Sequence, residues 1–373
     1  MSWVAASDIV PHLDQTLLWL CSVDSPIGEE RVLCDAVVER LQKVTLAAPI
    51  RRYGDSVVVP WLRGKLDADG KPAPHIVLAG HLDTVRTENG PARIEGDRCF
   101  GSGSSDMKSG LAVMLALAES LSPSDVPFNV TLVFYAREEG PFHENELGPV
   151  LEQDAELRNV NLAVCMEPSD NKLHLGCVGS IHAHVTFIGK TSHSARPWQG
   201  VNAVYKAAPL LLRLEQLKPI EVTLGGMTYR TVTAVTQAND GGRGRNVVPD
   251  RFVLNLNHRF SPDRTLEGEQ QYLRELVSAV DPTAEIEFTD LSPSAPPFRD
   301  HPLVQQLVDC GVRAIEPKQA WTDVARFAAL GVAAINFGPG ENAQAHQKNE
   351  STSLPLVHEG YAIMRRWLTT DVG

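Results

Sequence analysis

Apolar residues along this chain fall into two rhythms. From Val57 to Trp61, His75 to Ala79, Val130 to Ala136 and Leu162 to Met166 they form short, nearly continuous runs, the pattern of strands covered on both faces. Met107 to Leu121 stays apolar over several turns and reads as a helix. Ser7 to Leu20 and Ile27 to Val44 read as two more, the second opened by Ser25-Pro26. Strands alternating with helices predict a doubly wound α/β domain around a mostly parallel sheet.

A different rhythm begins near Val178. Strand SIHAHVTFIG, helix VNAVYKAAPLLLRLEQL, strands TVTAVTQ and FVLNLNHRF, helix TLEGEQQYLRELVSAV and strand EIEF follow one another. This β-α-β-β-α-β order predicts an inserted ferredoxin-like α+β domain. LSPSAPPF, rich in proline and serine, marks the return, and strand VAAINF with helix LVHEGYAIMRRWL completes the first sheet. The expected division is 1–177 with 293–373 for the first domain and 178–292 for the insertion. A chain of 373 residues has ample length for both cores.

Composition narrows the function classes. An apolar fraction of 43% suits a globular protein, and a net charge of −12 without a basic stripe argues against nucleic acid as a partner. Cys21, Cys34, Cys99, Cys165, Cys177 and Cys310 form no CxxC pair, which suits thiols in a reducing compartment. No basic segment with a cleavage site opens the chain, and no apolar run reaches the roughly 18 residues of a bilayer span. A cytoplasmic protein is the expectation.

The candidate chemistry lies where the first rhythm breaks. His81 and Asp83 in HIVLAGHLDT, Glu138 and Glu139 in VTLVFYAREEG, Glu167 in LAVCMEPS and His346 in INFGPGENAQAHQ follow strand-like runs, and Asp106 lies in GSGSSDMKSG. In an open α/β sheet such residues converge on one crevice beyond the carboxyl ends of the strands. Two histidines with several carboxylates form an N/O donor set suited to borderline cations, and the set is large enough for two ions sharing a carboxylate, for which Asp106 is the natural bridge. His81 and Asp83, two apart in an extended segment, point the same way, so Asp83 can orient the imidazole. Of Glu138 and Glu139, one can bind metal while the other serves as general base toward a bound water, whose pKa a metal lowers to about 7.

Each residue also has an ordinary reading. Asp106 alone would cap the helix after it, paired glutamates alone would be a solvated face, and His346 alone would be a surface histidine. Their joint occurrence carries the metal-site reading. Two nucleotide motifs fail: Gly101, Gly103 and Asp106 lack the third glycine of a dinucleotide loop, and Met107 stands where a P-loop requires glycine before Lys108-Ser109. His182 and His184 share one strand face and are expected to meet solvent or an interface rather than a metal.

GHLDT, GSGSSDMKSG, the Glu138-Glu139 pair, MEPS, TSHSARP, GRNVVPD, WTDVARF and NFGPG occur here in sequence. In this the chain resembles the zinc amidohydrolase and exopeptidase family of carboxypeptidase G, aminoacylase, acetylornithine deacetylase and succinyl-diaminopimelate desuccinylase. Its pattern is most similar to the desuccinylases of actinobacterial type. The resemblance runs from about Leu78 to the C-terminus.

The resemblance implies two zinc ions per subunit, replaceable by cobalt or manganese. His81, Asp106 and Glu167 would hold one, and Asp106, Glu139 and His346 the other. Asp83 would orient His81, and Glu138 would move the proton. It also implies a cis bond between Asp106 and Met107. His193 would act across the interface of a homodimer joined through the inserted domain, stabilising an oxyanion. Asn246, Arg259 and Arg326 would bind the substrate, with Thr322 and Asp323 lining the wall or capping the helix that follows. The implied reaction is hydrolysis of N-succinyl-L,L-2,6-diaminopimelate, a step in lysine and cell-wall precursor synthesis. The alternatives are another N-acyl-amino-acid amidase, such as acetylornithine deacetylase, or a metallocarboxypeptidase; further off is a binding protein without catalysis. GPFHENELGP after the glutamate pair departs from the family pattern, and its His143 reads as a loop residue beside the site.

Overall fold

The computed structural model describes residues 6–64, 66, 70–241 and 244–371. The chain divides into two compact units: Met1–Gly176 with Pro297–Glu316 and Arg326–Gly373, and Cys177–Pro296 with Pro317–Ala325. Pro317–Ala325, which the sequence pattern groups with the first domain, packs with the second unit. Val178 N–H donates to Lys318 O (3.3 Å), Gln319 Nε2 to Thr228 O (3.0 Å) and Trp321 Nε1 to Pro293 O (3.0 Å).

In the first unit an eight-stranded sheet runs in the order Arg51–Tyr53, Ser56–Leu62, Asn129–Tyr135, His75–His81, Leu162–Cys165, Ala334–Asn336, Leu173–Leu175, Ile315–Pro317. The four strands from Asn129–Tyr135 to Ala334–Asn336 pair in parallel, and antiparallel strands flank them. Ser56–Leu62 and Leu162–Cys165 are buried along their whole length, as continuous apolar runs require when both faces are covered. Helix Lys108–Ser120 is apolar on every side, and correspondingly every residue from Lys108 to Ala118 is buried, against helices Ala6–Ser22 and Leu354–Leu368. On its sheet side Gly110 lets the helix lie against the end of strand Leu162–Cys165: a Cβ there would stand 2.3 Å from the Met166 carbonyl oxygen. A small sheet joins Arg93–Glu95, Arg98–Phe100 and Ser351–Ser353.

The second helix spans Arg31–Leu41, shorter than the apolar period suggested. Gly28 takes a positive φ of 84° and its N–H meets the buried Glu30 carboxylate at 2.7 Å, so the chain turns before the helix begins.

The second unit is a five-stranded antiparallel sheet, Ile220–Leu224, Met227–Asn239, Arg251–Phe260, Gly179–Ile188, Glu285–Ser292, with helices Ala203–Gln216 and Leu266–Ser278. Ile181, Ala183, Val185 and Phe187 alternate into its core with Leu254 and Leu256, and His182 and His184 turn to the other face, half-buried. Four strands follow the ferredoxin-like order. Ile220–Leu224 is additional: Leu224 pairs with Met227 across Gly225 and Gly226, both at positive φ, a two-residue hairpin whose Gly-Gly signal is legible in the sequence.

Candidate active site

Four neighbouring parallel strands deliver the chemistry. His81 ends one strand, Glu138 and Glu139 follow Asn129–Tyr135, Glu167 follows Leu162–Cys165, and His346 comes on the loop after Ala334–Asn336. Parallel strands share one carboxyl end, so these residues meet there. Asp106 joins them from the turn before helix Lys108–Ser120, and its peptide bond to Met107 is cis.

Among the described residues, three groups of donor atoms gather within 4.8 Å: His81, Asp106 and Glu167; Asp106, Glu139 and His346; and His81, Glu138 and Glu139. Asp106 divides its oxygens between the first two. Oδ1 lies 3.3 Å from His81 Nε2 and Oδ2 lies 3.5 Å from His346 Nε2, which is also 2.9 Å from Glu139 Oε2. An imidazole nitrogen and carboxylate oxygens on each side of one shared carboxylate form a donor set that fits two divalent cations.

The charges are strongly coupled. Burial alone would raise the Asp106 pKa, but hydrogen bonds and charge from His346 and His81 pull it well below the usual value. Glu139 moves up through burial and the neighbouring Asp106 charge. His346, against Asp106 and Glu139, is raised to about 10. Burial opposes protonation of His81, yet Asp106 and Asp83 raise its pKa well above the ordinary value. A cation entering this site competes with protons for the imidazoles.

Asp83 is fully buried, and its arrangement is more specific than residue spacing suggests. The nearest acceptor to His81 Nδ1 is the Asp83 backbone carbonyl at 3.0 Å, with the carboxylate at 3.5 Å. The carboxylate oxygens instead accept the N–H groups of Glu138 (3.0 Å) and Glu139 (2.9 Å). Residue 83 thus fixes the imidazole tautomer and also the backbone of the glutamate pair.

The remaining candidates divide between the units. Exposed His193 and Asn246 lie on paired segments of the second unit, with His193 bridged to Val247 and Ser194 N–H donating to Asn246 O at 2.9 Å. Ala195 N–H donates to His193 Nδ1 at 3.1 Å, which leaves Nε2 to carry the proton of the neutral ring. Arg259 is half-buried, its Nε donating to Asn257 Oδ1 at 2.9 Å. Thr322 and Asp323 are buried just before helix Val324–Ala329, and Thr322 O accepts the N–H of Ala325. Arg326 belongs to the first unit; its guanidinium lies 3.8 Å from the Phe142 ring centroid and donates to the Phe142 carbonyl. His143 is exposed beside Glu144 and belongs to none of the three donor groups.

Sequence reasoning missed Glu350. Only 3% exposed, it accepts N–H groups of Gly103 (2.8 Å), Ser105 (2.8 Å) and Asp106 (2.9 Å). Burial pushes its pKa up to about 7 against the pull of those amides. KNEST reads locally as a solvated loop, and no local signal marks the glutamate as buried.

The family model described as peptidase family M20/M25/M40 matches residues 77–370. A relative from Mycobacterium tuberculosis is 34% identical over 351 residues, 94% of this chain and 96% of its own. The succinyl-diaminopimelate desuccinylase of Corynebacterium glutamicum is 33% identical over 356 residues, 94% of each. Among solved structures, a Staphylococcus aureus tripeptidase shares the fold with a TM-score of 0.78 at 18% identity, covering 96% of this chain and 98% of its own. From the strand-end residues, the shared Asp106 and these matches together, the chain belongs to peptidase family M20/M25/M40.

Proposed function

We propose that this protein is a two-metal amidohydrolase that cleaves N-succinyl-L,L-2,6-diaminopimelate to succinate and L,L-diaminopimelate. The observation that carries the two-metal reading is Asp106, with one oxygen toward His81 and the other toward His346. The substrate assignment rests on the Corynebacterium desuccinylase, matched along 94% of both chains. We assign His81, Asp106 and Glu167 to one ion and Asp106, Glu139 and His346 to the other. The nitrogen and oxygen donors favour zinc, with cobalt or manganese as substitutes. When bound, the ions supply Lewis acidity and a lowered water pKa.

The chain's own residues do the rest. Glu138, grouped with His81 and Glu139, takes a proton from the attacking water and delivers it to the amide nitrogen as the C–N bond breaks; the second water proton follows to the leaving amine, so that the products are a carboxylate and an ammonium. Asp83 holds the Glu138 backbone through that transfer. His193 Nε2–H, acting across the interface of the proposed homodimer, serves as donor to the carbonyl oxygen of a substrate in the other subunit, a contribution of roughly 3 kcal/mol to the barrier. The two Nη groups of Arg259 suit a substrate carboxylate. Arg326 is already engaged with Phe142, which makes Arg259 the first choice of the two. Asn246, Thr322 and Asp323 complete the assignment of substrate contacts.

A homodimer through the second unit accounts for its apolar surface. Tyr205 (75% exposed) and Leu212 (59%) lie seven residues apart on one face of helix Ala203–Gln216, next to exposed Trp198 and Val201. The six cysteines are buried and none forms a disulfide, in keeping with a cytoplasmic location.

The test is amide hydrolysis of N-succinyl-L,L-diaminopimelate and N-acetyl-L-ornithine side by side, with and without a chelator. Preference for the succinyl compound, abolished by the chelator and reduced about 10²- to 10⁴-fold by Glu138→Gln, is expected. Turnover of the acetyl compound alone would transfer the protein to another N-acyl substrate, and full activity of the Glu138 variant would overturn the mechanism.

A further inference from the structure

We propose that Glu350 is a positioning residue of this site: its carboxylate is the anion around which the glycine-rich loop Gly101–Asp106 folds, and it sets Asp106 against His346. The inference rests on the two-metal reading above. A glycine-rich loop of successive N–H groups usually cradles a phosphate or another bound anion. Here the three converging donors, from Gly103, Ser105 and Asp106, meet a side chain of the same protein.

Both sides of the contact are built for it. Gly103 has a φ of +76°, and a Cβ there would stand 2.7 Å from Thr84 Cγ2 and 3.0 Å from Lys108 Cδ, so the loop reaches this shape only without a side chain at that position. Opposite, Gly101 N–H donates to the Glu350 carbonyl at 3.1 Å and Asn89 Oδ1 accepts Glu350 N–H at 2.8 Å. Ser351–Ser353 then pairs with Arg98–Phe100, and this ladder holds Glu350 beside the loop. Ser105 Oγ donates to Glu341 O at 2.9 Å, tying the other end of the His346 segment to the same turn.

The consequence is mechanical. Glu350 Oε1 takes the N–H of Asp106 itself, and His346 lies four residues before Glu350 on the same segment. One carboxylate therefore fixes the relative position of two donors of the second group. Because Asp106 also belongs to the first group, an error in its placement is felt at both.

The experiment titrates Zn²⁺ into metal-free protein by calorimetry and Co²⁺ by absorption, for wild type, Glu350→Gln, Glu350→Ala and the exposed control Lys348→Ala. Two ions should bind to wild type and to the Lys348 variant alike. Glu350→Ala should weaken binding about 10- to 100-fold, the usual scale for residues that orient metal ligands, and change the Co²⁺ ligand-field bands. Glu350→Gln keeps one oxygen for Ser105 and Asp106 but turns an NH₂ toward Gly103 N–H, so it should fall between. If Glu350→Ala does not fold, the isosteric Gln variant decides. A merely structural residue would lower thermal stability and leave the affinity and Co²⁺ spectrum of the folded protein unchanged, which would overturn the proposal. A wild-type protein that binds no ion would instead overturn the two-metal reading beneath it.

Discussion

Asp83→Asn isolates the junction between the His81 turn and the glutamate pair. In the native protein each Asp83 oxygen accepts one backbone N–H, Glu138 at 3.0 Å and Glu139 at 2.9 Å, with the side chain fully buried. Asparagine has the same shape but a single acceptor oxygen. The retained bond falls from charge-assisted to neutral, a loss of about 1 kcal/mol, and the other N–H faces an NH₂, a buried unsatisfied donor costing about 1–3 kcal/mol. The sum is about 2–4 kcal/mol, concentrated at residues 137–139. Amide hydrogen exchange of metal-free protein at neutral pH reads it directly: protection at Glu138 and Glu139 should fall roughly 30- to 700-fold, at about 1.4 kcal/mol per tenfold. Amides of the second unit should be unchanged and serve as an internal control. Protection within about twofold of wild type at both glutamates would refute the claim that Asp83 organises this turn.

Glu269 offers a test of charge linkage away from the metals. Its 5% exposed carboxylate meets His258 Nε2 at 2.7 Å and Arg264 Nη1 at 2.8 Å. Burial would raise its pKa, but these partners pull it below the ordinary carboxylate value. A depressed folded pKa stabilises the protein above the unfolded value of about 4.3, and the effect is lost as pH falls through the folded one. Glu269→Gln should therefore lower stability by about 1–2 kcal/mol at pH 7, with the gap to wild type closing below about pH 4; a gap independent of pH would contradict the assignment. For the apolar stripe, a Tyr205→Glu/Leu212→Glu double variant should convert a dimer into a monomer by light scattering while leaving zinc uptake intact. A wild-type protein that is monomeric at micromolar concentration would refute the dimer.

What could be read along the chain was whatever depends on near neighbours. The runs HIVLAGH and VTLVFY specify buried strands by their own apolar content, and a polar residue directly after such a run must lie at the strand's carboxyl end. His81, Glu139 and Glu167 were legible for that reason, and Asp106 and His346 became so in the company of the others. The inserted domain was legible from its alternation of period-2 and period-3.6 segments, although the Gly225-Gly226 hairpin was overlooked.

Other features depend on which distant residues meet. Asp106 and Glu350 are 244 positions apart, and Arg326 and Phe142 are 184 apart. Nothing in KNEST announces a glutamate inside an amide nest, and nothing in WTDVARF announces an arginine laid over a ring. Asp83 was placed beside His81 by spacing, but its carboxylate was claimed by amides 55 and 56 residues away. By itself the sequence determined most of the elements, the candidate donor residues and the family pattern, because backbone period and strand-end position are local properties. Only the tertiary structure decided which oxygen each donor meets and which buried carboxylates need partners, because a buried polar group takes whichever complementary group the packing brings within about 3 Å.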